Sequence, residues 1–257
     1  MDMTSSPPFS LSNPQPDSSI NQSQALEYWN SIPSDVNSML GGYPQTSRID
    51  LQGSSNFLTK LRRGRQRNSK EALPPLSRVA DCGAGIGRIT KGLLMGVARM
   101  VDVVEPVQKF TDELVASLEP EQERKEGQTQ IGEVINLALQ DWTPEAGAYD
   151  LIWNQWCLGH LTDAQLVAYL LRCKDGLVKL DPTAQGMTDS WIVVKENMSS
   201  DSKKKDIYDD QDSSVTRTDD KFRKLFKEAG LKIVATELQR GFPKELFPVR
   251  MYALRPE

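Results

Sequence analysis

Apolar positions recur along this chain in two rhythms. Between residues 77 and 196, short continuous apolar runs alternate with stretches whose apolar residues return every three or four positions. The runs predict strands at 77–82, 99–105, 131–139, 149–154 and 190–196. The amphipathic stretches predict helices at 87–96, 106–118 and 162–180. Strand and helix in strict alternation imply a parallel sheet joined by right-handed helical crossovers. Further on, Thr218 is placed to cap a helix through Phe222, Leu225 and Phe226 that stops at Gly230. Two last strands, 231–238 and 247–254, are joined by a Gly241/Pro243 loop and read as a terminal antiparallel hairpin.

Ahead of the alternating region the pattern is helical and broken. Ser23 reads as the cap of a helix from Gln24 to Asn30 that carries Leu26, Tyr28 and Trp29. Pro33 ends it, Ser34 starts a second short helix through Val36, Met39 and Leu40, and Gly41-Gly42-Tyr43-Pro44 closes that one in a turn. A third helix runs from about Ser54 through Phe57, Leu58 and Leu61. Residues 1–22 are rich in Ser, Pro, Asn and Gln, bury too little to offset ordering entropy, and read as a disordered tail. The expected organisation is therefore a tail over 1–22, a helical extension over 23–76 and an α/β core over 77–257, with a polar, acidic stretch at 198–216.

Composition narrows the partners. The chain has 257 residues, enough for one α/β domain with a real core, and a net charge of −4, which gives no global basic field for nucleic acid. The basic run Arg62-Arg63-Gly64-Arg65-Gln66-Arg67 is short and lacks interleaved aromatics, so it reads as a solvated loop. No apolar run is long enough to span a bilayer, and the first residues lack a signal-peptide pattern. Cys82, Cys157 and Cys173 have neither disulfide-framework nor zinc spacing, so no metal site is expected and a reducing compartment fits, cytoplasm or nucleus.

The candidate chemistry collects at the carboxyl ends of the predicted strands, where open α/β sheets hold ligands. The first strand ends in Asp81-Cys82-Gly83-Ala84-Gly85-Ile86-Gly87-Arg88. Its third glycine comes one position early for the dinucleotide fingerprint, and the phosphate-loop Gly-Lys-Ser/Thr is absent. What remains resembles the first motif of class I S-adenosylmethionine (SAM) methyltransferases. The second strand ends in Glu105, an acid able to hold both hydroxyls of a ribose. Leu139 and Gln140 close the third and suit the face and edge of an adenine. After the fourth come Trp153, Trp156 and the only histidine, His160, whose aromatic neighbours can wall a cationic methyl site. Asn197 ends the fifth strand, and Asp209, Asp210 and Asp212 follow in an acidic loop able to attract a cation. These residues alone leave open an RNA or DNA methyltransferase, a small-molecule amine methyltransferase and a non-catalytic SAM-binding scaffold.

Taken together, the motifs resemble the protein N-terminal (alpha-amino) methyltransferases. The resemblance rests on Tyr28-Trp29, Met39-Leu40-Gly41-Gly42-Tyr43, the Asp81–Lys91 turn, Leu139-Gln140-Asp141, Gln155-Trp156 and Gly159-His160-Leu161-Thr162-Asp163. It continues through Lys195-Glu196-Asn197, Asp212-Ser213-Ser214 and Tyr252-Ala253-Leu254-Arg255, collinear from about residue 26 to the end. The Arg-rich stretch with Pro74-Pro75 looks like an insertion, and the linker near 181–189 is longer than expected. The resemblance implies a class I Rossmann-like fold: a seven-stranded, mostly parallel sheet with a C-terminal antiparallel strand and an N-terminal helical extension lining the substrate site. It implies a monomeric SAM-dependent enzyme that methylates the free α-amine of proteins beginning X-Pro-Lys or X-Pro-Arg after Met removal, ribosomal proteins among them. By that pattern Gly83, Arg88, Glu105, Leu139, Gln140 and Gln155 bind SAM, with Arg88 on its carboxylate. Trp29, Leu40, Gly41, Trp156 and Asn197 hold the first residues of the peptide. Asp209, Asp212 and Ser214 read its third, basic residue. His160 and Asp212 are the candidate bases, with Asn197 beside them in the catalytic set.

Overall fold

The computed structural model describes residues 15–64, 72–118, 129–179 and 190–257. Three helices come first: α1 (Gln22–Ser31), α2 (Val36–Met39) and α3 (Ser47–Arg63). Strand and helix then alternate: β1 (Leu76–Cys82), α4 (Arg88–Gly92), β2 (Ala98–Val104), α5 (Gln108–Ala116), β3 (Gln130–Ile135), β4 (Leu151–Gln155), α6 (Asp163–Gly176) and β5 (Trp191–Asn197). A small hairpin, β6 (Ile207–Asp209) and β7 (Ser214–Thr216), precedes α7 (Asp219–Glu228), β8 (Leu231–Leu238) and β9 (Val249–Pro256).

The main sheet has seven strands in the order β3-β2-β1-β4-β5-β9-β8. Only β9 runs against its neighbours, pairing antiparallel with both β5 and β8. The expected sheet is thus the one found. Its inner strands β1, β2, β4 and β5 are mostly apolar without alternation because helices cover both faces, and all five residues of β4 are buried. One face packs against Leu166, Tyr169 and Leu170 of α6 and Phe222 and Phe226 of α7. The other packs against Ile89 of α4 and against Phe57 and Leu58 of α3, each only 1% exposed. The order of strands reverses between β1 and β4, so the crevice expected at a topological switch point opens beyond their carboxyl ends.

Several predicted boundaries move, each for a local reason. The stretch 15–22, read as tail, is ordered: Pro16–Ser19 form a 3₁₀ turn, and Asp17 accepts a bond from the Asp163 backbone N–H at 2.9 Å. Asn21 rather than Ser23 caps α1, and Asp35 rather than Ser34 caps α2. Helix α3 begins at Ser47, not near Ser54. Gly53 lies inside the helix, where the Cβ it lacks would stand 2.2 Å from Gln239 Oε1. The helix expected over 87–96 ends at Gly92 and continues as a 3₁₀ turn over Leu94–Gly96. The helix expected to reach residue 180 stops at Gly176. β3 ends at Ile135 rather than 139, because Asn136 Nδ2 donates to Glu105 O and Thr111 Oγ1, both at 3.0 Å, and draws the chain off the sheet edge. The acidic stretch 198–216 contains the β6–β7 hairpin. Arg62 and Arg63 form the last turn of α3, where positive charge suits the helix dipole; Arg65 and Arg67, residues 1–14 and the 181–189 linker lie outside the described residues.

Candidate active site

The turn after β1 runs through three glycines in the left-handed region, Gly83, Gly85 and Gly87, at φ of 66°, 54° and 74°. Gly83 is also required by contact, since a Cβ there would lie 2.3 Å from Cys157 Cβ. Glu105, at the end of β2, turns under this loop. Its carboxylate accepts Gly85 N–H at 2.8 Å and Val107 N–H at 2.9 Å. Burial pushes its carboxyl up to about 7 despite those two bonds. Gly83, Gly85, Glu105, Val107, Phe110, Leu139 and Gln140 line one side of an open cavity with about 790 Å³ of empty space.

The other side belongs to the segment after β4 and to α1. Trp156 holds a φ of 55°, rare for a residue with a side chain, and this swings its indole into the cavity wall. Cys157 and Leu158 then donate their N–H groups to Glu196 Oε1 of β5, both at 2.9 Å, which ties the loop to the sheet. His160 follows in a 3₁₀ turn, and its Nε2 accepts Trp29 Nε1–H of α1 at 3.1 Å. Burial depresses its basicity, while the Asp212 carboxylate and the Ser213 main chain favour the charged form. The β6–β7 turn packs over α1: Asn21 N–H donates to Ser213 Oγ at 2.7 Å and Gln24 Nε2 to Asp210 O at 2.6 Å. Burial raises the Tyr28 phenol, and the charges of Asp212 and Asp209 beside it push in the same direction. Three buried polar atoms around this end make no hydrogen bond of ordinary geometry: Trp156 Nε1, His160 Nδ1 and Asp212 Oδ1. Native interiors rarely leave such atoms unpaired, so they mark where a polar ligand belongs.

Behind the glycine turn sits a buried charge cluster. Asp50 of α3 receives Arg88 Nη1 at 2.6 Å, Lys195 Nζ at 2.5 Å and Gln155 Nε2 at 2.9 and 3.0 Å. Lys195 also donates to Ser54 Oγ at 2.9 Å and Gln239 Oε1 at 2.8 Å. The Arg88 guanidinium lies 5.4 Å from the centre of the Trp156 ring, within cation–π range. Among the described residues no group of three His, Cys, Asp or Glu side chains could hold a metal ion.

A family model described as AdoMet dependent proline di-methyltransferase matches residues 17–255, nearly the whole chain. The chain belongs to this family. It is 45% identical over 241 residues to the alpha N-terminal protein methyltransferase 1 of Schizosaccharomyces pombe, a match that covers 91% of this chain and 95% of that one. It is 41% identical over 234 residues to the N-terminal Xaa-Pro-Lys N-methyltransferase 1 of Mus musculus, covering 91% and 94%. Among solved structures, a SAM-dependent methyltransferase of Leishmania major superposes with a TM-score of 0.74 at 34% identity, covering 91% of this chain and 82% of that one. The protein is therefore a SAM-dependent methyltransferase.

The cavity fits that cofactor. The left-handed glycines leave a side-chain-free floor, Glu105 stands at the end of β2, and Leu139 supplies an apolar wall. The methyltransferase gathers Trp29, Gly83, Glu105, Leu139, Gln140, Trp156 and His160 around one cavity. It does not bring the other expected residues to that wall. Arg88 and Gln155 are engaged on Asp50, and Gly41 lies in an exposed left-handed turn after Leu40. Asn197 ends β5, Asp209 is exposed in β6 with its Oδ1 on Gln211 N–H, and Ser214 lies against Gly159. Asp212 stands near His160 and Tyr28. The sequence reading missed Met39, Val107 and Phe110 as lining residues. The acid–Pro106 step into α5 was the available signal for the last two, since the first helical turn after such an acid faces the ligand crevice.

Proposed function

We propose that this methyltransferase acts on the free α-amine of proteins beginning Xaa-Pro-Lys or Xaa-Pro-Arg, ribosomal proteins among them, and that it works as a monomer in the cytoplasm or nucleus. The observation that carries the reading is a cavity shared by two sets of residues. Its cofactor-side residues, Gly83, Gly85, Glu105, Leu139 and Gln140, and its aromatic and basic residues, Trp29, Trp156 and His160, line the same space. The names of the relatives from fission yeast and mouse point to the same substrate class.

In this reading Gly83, Glu105, Leu139 and Gln140 seat SAM, and Arg88 and Gln155 hold its amino-acid end. Bound SAM supplies an electrophilic methyl group on a sulfonium. The protein must align an amine lone pair with that methyl, which is a positioning task. Proton removal is the smaller task. An α-amine titrates near 7.7–8.0, so roughly a tenth is already neutral at pH 7, a penalty of about 1.4 kcal/mol. His160 can take the remaining proton at Nε2. The bond from Trp29 leaves the lone pair there and the ring proton on Nδ1, so the indole N–H must yield its place to the amine. Asp212 is the second candidate base, and Asn197 supplies both donor and acceptor. Trp29 and Trp156, with Leu40 and Gly41 at the entrance, form a slot for proline, which has a fixed φ and no N–H to satisfy. Asp209, Asp212 and Ser214 then meet the third, basic residue.

The test is mass spectrometry of a Ser-Pro-Lys peptide incubated with the protein and SAM, beside its N-acetylated twin. Methyl additions on the free peptide alone are expected. Additions on both would assign the lysine side chain instead. Additions on neither, with cofactor binding intact, would remove the N-terminal reading.

A further inference from the structure

We propose that Asp50 is a positioning residue for the cofactor, holding Arg88 and Gln155 so that the free edge of the Arg88 guanidinium meets the carboxylate at the amino-acid end of SAM. The proposal rests on the reading of Arg88 as the cofactor's carboxylate partner and adds what sets that arginine in place.

Asp50 stands outside the strand–turn–helix unit that receives the cofactor. It comes from α3, and its carboxylate is fully buried at the point where β4, β5 and the start of α4 converge. Both oxygens are used: Oδ2 takes Arg88 Nη1 at 2.6 Å, Oδ1 takes Lys195 Nζ at 2.5 Å, and Gln155 Nε2 lies across both. Gln155 is fixed further by Trp153 Nε1–H, which donates to its Oε1 at 3.2 Å. Arg88 thus spends one terminal nitrogen on Asp50 and stacks on Trp156, while its Nε and Nη2 donors bond no described residue. A guanidinium fork held along one edge and across one face keeps the remaining edge for a planar carboxylate.

The charge count supports an anionic visitor. Arg88 and Lys195 bring two formal positive charges and Asp50 one negative, so the cluster carries an excess of one positive charge while mostly buried. Buried charge of one sign is costly unless paired. The next carboxyl, Asp81, accepts Thr90 Oγ1–H at 2.5 Å and feels the Arg88 charge, but it makes no ion pair with Arg88 and so offsets the excess only in part. A ligand carboxylate would complete the balance. Lys195 carries the same logic from the other side: without it, Asp50 would keep Arg88 as its one ion-pair partner, and Gln155 alone would steady the angle between them.

Two ligands separate positioning from mere structural support. S-adenosylhomocysteine has the amino-acid end; 5′-methylthioadenosine keeps the nucleoside and sulfur and lacks that end. Titration calorimetry should show Asp50→Asn weakening S-adenosylhomocysteine roughly tenfold or more, with methylthioadenosine changed less than about twofold. Because Asp50→Asn leaves two buried cations without an anion, the double variant Asp50→Leu/Lys195→Met provides a second measurement. It removes one charge of each sign and replaces them with apolar volume, a kind of exchange that folded proteins tolerate. The double variant should keep its melting temperature within a few degrees and show the same selective loss. Equal weakening of both ligands in the folded double variant would reduce Asp50 to a structural role, and unchanged affinity for S-adenosylhomocysteine would overturn the proposal outright. Failure of the wild-type protein to bind either ligand would instead remove the cofactor reading on which it stands.

Discussion

Gly83→Ala tests the geometry of the site with a single methyl group. At φ of 66° an alanine must adopt the left-handed region, at a cost of about 1–2 kcal/mol. The added Cβ would stand 2.3 Å from Cys157 Cβ, and ordinary contact begins near 3.4 Å, so the two segments must part by about 3.4 − 2.3 = 1.1 Å. The obstacle is a Cβ with its own Cα only 3.7 Å away, not the end of a flexible chain, so backbone has to move. Cys157 is in turn pinned through its N–H to Glu196. Overpacking of this kind adds about 1–3 kcal/mol. A total near 3 kcal/mol lowers Tm by roughly 6–12 °C in a chain of this size. Activity should fall further than stability, because the displaced segment carries Trp156 and His160, and an error of about 1 Å in placement can cost on the order of a hundredfold in rate. Differential scanning calorimetry and single-turnover methylation read the two effects separately. Adding Cys157→Ala should rescue nothing, because the offending Cβ stays, whereas Cys157→Gly should recover part of the Tm. A Gly83→Ala protein with wild-type Tm and wild-type affinity for S-adenosylhomocysteine would refute the reasoning.

Four further outcomes follow from the same structure. His160→Ala should slow methyl transfer by roughly 10–100-fold without abolishing it, since roughly a tenth of the amine is already neutral at pH 7; complete loss with normal peptide and cofactor binding would contradict this. Asp209→Lys should raise KM most for peptides with a basic third residue, and unchanged kinetics would remove Asp209 from recognition. Trp29→Phe keeps the aromatic wall but deletes the indole N–H that holds His160 in its neutral form, so the His160 titration should move upward; as the chain has one histidine, its ring protons in an NMR pH series report this directly. Burial lifts Asp81 to about 6 and Glu105 and Glu196 to about 7, so between roughly pH 4 and 7 the folded chain binds more protons than the unfolded one. Their contribution to stability is therefore greatest on the acid side and is lost as pH rises through that window. Glu196→Gln should narrow the difference between urea stabilities at pH 5.5 and 7.5 by roughly 2 kcal/mol, and an undiminished difference would refute the assignment.

The sheet was legible because its signals are local. Each of β1, β2, β4 and β5 is a short apolar run buried on both faces, and Asp81 through Arg88 carries the left-handed turn in its glycines. Elements whose backbone contradicts their residue type were harder to read. Ser213 takes φ of 53° in the turn between β6 and β7, where a glycine would have announced a hairpin. The first turns of α3 went unread because Ser47–Gly53 carry few apolar residues, and the place of Gly53 inside the helix answers to Gln239, a residue far along the chain. The gathering of Gly83, Glu105, Leu139 and His160 was legible through the order of strands, whereas Trp29, on α1, was placed there only by the family resemblance. Asp50 was not. It pairs with Lys195 across 145 residues, and neither periodicity nor a short motif can encode a contact that only the finished fold creates.

The Asp50 cluster also bears on how such a chain can change over generations. Its members sit in α3, α4, β4 and β5, so four separate stretches of sequence answer to one carboxylate. Loss of Asp50 alone strands two cations, and loss of Lys195 alone loosens the anchor; breaking a buried pair from one side typically costs about 3–5 kcal/mol. Paired replacement is far cheaper than either single step. The N-terminal helices and the α/β core are thus inherited as one unit. A new peptide preference grafted in through α1 and α2 would have to leave α3 and its partners behind unchanged, or carry all four positions with it.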